Sequence, residues 1–85
     1  MTRTLSIQRS TVTSAERERY LTAVAERKSQ YARANCRFWV FEEIGLPGAF
    51  VEFTESDSAS SLRSAHESVG YLVGPPRIYQ EVDLG

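Results

Sequence analysis

At 85 residues the chain is the length of one domain, and 41% hydrophobic with 25% charged residues is a globular composition, not that of a disordered tail. Ten Lys and Arg against eleven Asp and Glu leave a net charge of -1, without the basic excess of a phosphate-backbone binder. No apolar run approaches the roughly 18 residues of a membrane-spanning helix. Met1 to Ser6 lacks the apolar core of a secretory signal, and the single Cys36 has no partner for an internal disulfide. The expectation is one cytoplasmic domain over residues 1–85, with no membrane association.

Thr4 to Val12 alternates, with Leu5 and Ile7 on one face and Ser6, Gln8 and Ser10 on the other, which predicts a half-buried strand. Thr13-Ser14-Ala15-Glu16 reads as a capping box, and no Gly or Pro interrupts the chain from there to Ala34. Tyr20, Leu21, Val24, Lys28, Tyr31 and Ala32 fall at helical spacing, with Lys28 covered along its stem only, and Asn35 suits a left-handed exit. Cys36 to Glu43 is rich in strand formers, Ile44 to Gly48 is a turn, and Ala49 to Glu55 is a second strand of the same hairpin. Ser56 or Asp57 is placed to cap a shorter helix running to about Ser68, with Ala59, Leu62, Ala65 and His66 toward the core and Gly70 ending it. After Gly74-Pro75-Pro76, Arg77 to Leu84 alternates again. The order β-α-β-β-α-β is the ferredoxin-like α+β arrangement, a four-stranded antiparallel sheet with both helices on one face.

The other face is open to solvent unless something covers it. With Phe41 set opposite Phe50, Cys36, Phe38, Val40, Ala49, Val51 and Phe53 share the helix side. Arg37, Trp39, Phe41, Phe50, Glu52 and Thr54 then share the open side, joined by Ser6, Gln8, Tyr79 and Glu81; a slip of one residue exchanges these faces. Either way both sides of the hairpin carry large apolar groups, unlike a sheet with one wet face. A domain of this size buries only about 60–65% of its unfolded surface, so oligomerisation is the natural supplement. These arguments predict a homodimer through the open face, with part of that face left as a cavity for a small apolar or aromatic molecule. Residues 1–37 carry +5 and residues 38–85 carry -6, read either as a basic helix beside an acidic hairpin or as charges meeting across a subunit contact.

Phe38-Trp39-Val40-Phe41-Glu42-Glu43 and Gly48 to Ser56, followed by Ala59, Leu62 and Ala65-His66, resemble the dimeric α/β-barrel superfamily, and within it the small proteins of the antibiotic-biosynthesis-monooxygenase kind. That resemblance implies two ferredoxin-like subunits packed sheet to sheet, and cofactor-independent monooxygenase-like chemistry on a small molecule. The runner-up is a non-catalytic ligand-binding or protein-interaction module. Haem-degrading relatives use an Asn, a Trp and a His; Trp39 and His66 are of the right types, but His66 falls early and the first strand offers Gln8 and no Asn, so no haem is expected.

His66 is the one side chain whose ordinary pKa lies near neutrality and is the acid/base candidate. Gln8, Arg37, Trp39, Phe41, Phe50, Glu52 and Tyr79 are the candidate ligand-binding residues. Cys36 reads as a small buried hydrophobe, Glu42 and Glu43 as edge charges, and no ligand cluster has metal spacing; no cofactor is expected. Ala49 to Phe53 matches only the end of an RNA-recognition octamer, the first strand has Ser6 where a stacking ring belongs, and Glu52 and Glu81 repel phosphate, so nucleic acid is not an expected partner. An acylphosphatase lacks its phosphate loop at Thr11 to Ser14, while an ACT-type sensor domain shares the topology. Tyr71-Leu72-Val73 reads as a core lid or as a contact to a partner subunit.

Overall fold

The computed structural model describes residues 3–70 and 77–85, so the Tyr71 to Pro76 connection lies outside the described residues. Strand β1 (Thr4–Thr11) leads through a 3-10 turn (Ser14–Glu16) into helix α1 (Arg17–Arg33). Strands β2 (Arg37–Glu42) and β3 (Ala49–Ser56) form the hairpin, followed by helix α2 (Ala59–Val69) and strand β4 (Ile78–Gln80). The sheet order is β2-β3-β1-β4, with every described pairing antiparallel, the ferredoxin-like arrangement expected from the sequence. Among the described residues no helix is long and apolar enough to cross a membrane.

Local chemistry sets the element ends. The Thr13 hydroxyl donates to the Glu16 carboxylate at 2.8 Å instead of accepting an amide, so the expected capping box gives way to a 3-10 turn. Asn35 takes the left-handed exit at φ 61°. Helix α2 is capped by Ser58, whose Oγ accepts the Ser61 N–H at 3.1 Å, not by Ser56 or Asp57, and Gly70 at φ 70° ends it. Strand β4 stops at Gln80, short of the expected Leu84.

The hairpin register differs from the expected one by a residue. Glu42, not Phe41, lies opposite Phe50, and the Glu43 N–H donates to the Ala49 carbonyl at 2.9 Å, so residues 44–48 form the connection. Gly48 belongs to that loop for a steric reason. At φ 93° its backbone passes so close to β1 that a Cβ would meet the Val12 carbonyl oxygen at 2.3 Å, and its own carbonyl accepts the Val12 N–H at 2.8 Å. Because strands alternate, this shift turns β3 over. Phe50, Glu52 and Thr54 go beneath the helices, while Val51 and Phe53 join Trp39 and Phe41 on the open face. Strand β1 is turned likewise: Ser6 pairs with Thr54 and Gln8 with Glu52 on the helix side, leaving Leu5 and Ile7 outside.

The layer between sheet and helices is therefore mixed. Its apolar part is Val24, Tyr31, Cys36, Phe38, Leu62 and Ala65, with Tyr20, Val40, Val69 and Ile78 packed against it. Burial also pushes the Cys36 thiol pKa up, in keeping with a small core hydrophobe. The polar part answers to itself. Arg27 Nη2 donates to Glu52 Oε2 at 3.0 Å and Tyr20 Oη donates to the same oxygen at 2.6 Å, with Arg27 and Glu52 both buried. Hydrogen bonds join Ser6 Oγ to His66 Nε2 at 2.7 Å and Tyr31 Oη to His66 Nδ1 at 2.6 Å. Helix α1 thus presents Tyr20, Val24, Arg27 and Tyr31 to the sheet, and Lys28, expected along the core, is exposed.

Two tests follow from this polar layer. Replacing Glu52 by Leu leaves the Arg27 guanidinium buried without its carboxylate, and the expected loss is about 3–5 kcal/mol by denaturant unfolding; a loss under about 1 kcal/mol would show that the pair does not hold the layer. Burial keeps the folded-state pKa of His66 below its ordinary 6.5. Between those two values the unfolded chain binds the extra proton, so stability falls as pH drops below 6.5, by at most about 1.4 kcal/mol per pH unit, and levels off below the folded-state value. The urea midpoint of the wild type should decline from about pH 7.5 to about pH 5 more than that of His66→Gln. Equal declines would remove His66 as the cause.

Candidate functional site

Period-two alternation on β2 and β3, with the register just described, brings Trp39 opposite Phe53 and Phe41 opposite Val51 on the open face. Phe41 and Phe53 meet edge to face, with centroids 5.6 Å apart. Strands β1 and β4 add Leu5 and Tyr79, which are themselves paired, and Ile7. Trp39, Phe41 and Tyr79 remain 43%, 57% and 48% exposed, which is high for large rings on one side of a sheet.

These side chains line a concavity of about 510 Å³, with Leu5, Trp39, Phe41, Phe53 and Tyr79 as its apolar walls and Arg3, Glu55, Gln80 and Glu81 around its polar end. At that end Arg3 bridges two carboxylates, reaching Glu55 at 3.1 Å and Glu81 at 3.1 Å. Glu55 is buried and also pairs with Arg37, which reaches on to Asp57 at 3.3 Å. Arg3 holds the Glu81 carboxyl below its usual range through hydrogen bonding and charge. Apolar walls with a few convergent polar groups at one end are the general build of small-molecule pockets.

The candidate residues divide cleanly. Trp39, Phe41 and Tyr79 line the concavity, and Arg37 stands beside it through Glu55. Gln8, Phe50 and Glu52 do not: they lie on the helix side, Phe50 against Tyr20 at 4.6 Å between centroids and Glu52 on Arg27. His66 also lies on the helix side, with both ring nitrogens engaged by Ser6 and Tyr31. The sequence reading missed Leu5, Phe53, Glu55 and Arg3. The first three follow from the same alternation once the register is right, whereas Arg3 precedes the alternating stretch and carries no periodic signal.

The charge asymmetry along the sequence resolves within the chain. Each ion pair among the described residues joins a base from residues 1–37 to an acid from residues 38–85. Arg17, for example, donates to Glu42 at 2.8 Å, and with the Gly48 N–H it draws that carboxyl down to about 2. Among the described residues no group of His, Cys, Asp and Glu is arranged to hold a metal ion.

No family model and no curated protein matches the sequence. The structure, by contrast, is similar to two solved structures, each named "Putative antibiotic biosynthesis monooxygenase". One, from Nitrosomonas europaea, superposes with a TM-score of 0.69 at 14% identity, over 98% of this chain and 90% of that one. The other, from Bordetella bronchiseptica, gives a TM-score of 0.65 at 14% identity, over 99% of both chains. At such identity the likeness establishes the fold: this chain has the ferredoxin-like architecture of those two proteins over nearly its whole length.

Proposed function

We propose that the chain acts as a homodimer in which the open faces of two sheets close on one another and enclose the aromatic concavity as a site for a small apolar or aromatic molecule. One observation carries this reading. The two central strands place Ser6, Gln8, Glu52 and Thr54 toward their own helices and Leu5, Ile7, Val51 and Phe53 toward the outside. Four apolar side chains on central strands, flanked by Trp39, Phe41 and Tyr79, form the side of the sheet with most to gain from losing water. A second copy supplies a matching surface at no cost in new sequence, and a two-fold contact is self-complementary by construction.

The reaction class that accords with the names of the two similar structures is monooxygenation; for this chain we infer a reaction without a bound cofactor, on an aromatic substrate such as a fused-ring hydroquinone whose own ring supplies the electrons. In this site Trp39, Phe41 and Phe53 would stack on the ring system, while the Arg3–Glu55–Glu81 cluster would orient a hydroxyl at the polar end. The competing reading, binding without turnover, draws on one specific fact: His66, the chain's one imidazole, is engaged inside the core and not in the concavity.

Sedimentation equilibrium at micromolar concentrations should give twice the 9.6 kDa chain mass for the wild type. Phe53→Asp, which places a charge at the centre of the open face, should weaken face-to-face association by about a hundredfold or more. A wild type at chain mass across the concentration range would overturn the dimer. For the site, 1-naphthol should raise the melting temperature of the wild type and not that of Trp39→Ala. Oxygen uptake with 1,4-dihydroxynaphthalene above the protein-free rate that yields 2-hydroxy-1,4-naphthoquinone and water supports the oxygenase reading; stabilisation with no such product, including uptake that gives only 1,4-naphthoquinone and hydrogen peroxide, assigns the binding module.

A further inference from the structure

Strand β2 lies at one edge of the sheet and, among the described residues, pairs with β3 alone. Its alternation of hydrogen-bonding direction is fixed by the Glu43 N–H to Ala49 carbonyl bond, so Arg37, Trp39, Phe41 and Glu43 direct their backbone groups toward β3. Phe38, Val40 and Glu42 therefore direct their N–H and C=O groups outward, six groups along an open edge. Natural edges are normally blunted by proline, by a bulge or by charges pointing at the incoming strand. This one carries Phe38-Trp39-Val40-Phe41, and Arg17 holds the nearby Glu42 carboxylate. On the helix side the edge is continued by a groove of about 370 Å³, lined by Leu21, Val24, Ala25 and Lys28 from α1 together with β2, and Leu21 is 38% exposed there.

We infer that this edge pairs with the same edge of a second copy, antiparallel and centred on Val40. Three features single out a second copy. The outward residues 38, 40 and 42 are symmetric about Val40, so a two-fold axis there forms a hydrogen-bonded Val40–Val40 pair and matches Phe38 with the partner's Glu42, using all six outward groups. The same register sets Trp39 against the partner's Phe41 as a close, non-hydrogen-bonded aromatic pair. It also sets Arg37 against the partner's Glu43, an exposed carboxylate with no ion pair among the described residues. Charge, ring contacts and hydrogen-bond parity agree on one register. The contact is independent of whatever covers the open face; where both form, two edge-paired copies present one continuous apolar face to another such pair.

Amide hydrogen exchange of the wild type tests it directly. The amides of Phe38, Val40 and Glu42 should slow as protein concentration rises, and a Val40→Pro variant that keeps the wild-type fold, having lost an outward N–H and no hydrogen bond to β3, should return Phe38 and Glu42 to fast exchange. The mass of Phe53→Asp should reach twice that of the chain as concentration approaches about 1 mM, and Val40→Pro added to it should restore the chain mass. Exchange of the three amides that is fast and independent of concentration would overturn the edge contact, as would a folded Phe53→Asp that stays at chain mass. The two contacts separate in Val40→Pro alone: a variant that remains a dimer leaves the face contact standing without the edge, and one that becomes a monomer from a wild-type dimer leaves the edge without the face.

Discussion

The buried carboxylate of Glu52 is the constraint on which the rest of the molecule turns. A carboxylate beneath two helices is tolerable only when its charge and lone pairs are met, and here Arg27 and Tyr20 converge on one of its oxygens. Both partners come from α1, so the pair ties that helix to β3 at a fixed depth and rotation. A one-residue slip of β3 would carry Glu52 to the other side of the sheet and leave the Arg27 guanidinium facing Val51 or Phe53. Such a pair adds little net stability against an apolar replacement, but it makes the wrong register expensive, which is how buried polar groups specify a single structure.

From that register the polarity of the whole sheet follows. Strand β1 matches β3 residue for residue, so Ser6 and Gln8 accompany Thr54 and Glu52 under the helices, and Leu5 and Ile7 accompany Glu55 and Phe53 outside. The polar row inside is not wasted, since Ser6 holds one side of the His66 ring and Tyr31 the other. Its cost is a lean apolar core, with seven buried apolar side chains among the described residues and Leu62 and Tyr31 the most deeply enclosed. A small domain with so lean a core keeps much of its apolar and aromatic surface on the outer face, which is the ground for the dimer proposed above.

Much of this was legible in the sequence, and the misassigned faces of β1 and β3 have two sources. Alternation correctly sorted Trp39 from Phe38 and Tyr79 from Ile78, and turn chemistry correctly placed Asn35 at a left-handed helix exit and Gly70 at the end of α2. Alternation tells which residues share a face; it does not tell which face the helices cover. Assigning the more apolar set to the helix side is sound for a monomer with one wet face, and it fails here because the outer face is the apolar one. A signal pointing the other way was available on α1, where Arg27 falls three residues after Val24 and seven after Tyr20, on the stripe facing the sheet, and so calls for an acid on that side. The length of the 44–48 connection was not legible, because it rests on the approach of Gly48 to Val12, a contact between segments far apart in sequence.

The two faces of the sheet consequently do different work. The inner face is closed, hydrogen-bonded and matched to its own helices, which makes it a poor place for an exchangeable ligand but a good source of rigidity. The outer face is apolar, concave and bounded at one end by the Arg3–Glu55–Arg37 ion pairs, whose Glu55 sits on the strand that Glu52 fixes in place. Rigidity of the inner layer thus transmits directly to the geometry of the outer one, since neighbouring residues of one strand serve both. In the dimer proposed above, a ligand held between two such faces would touch both copies, and its binding and the association of the subunits would be one linked equilibrium, each drawing the other forward.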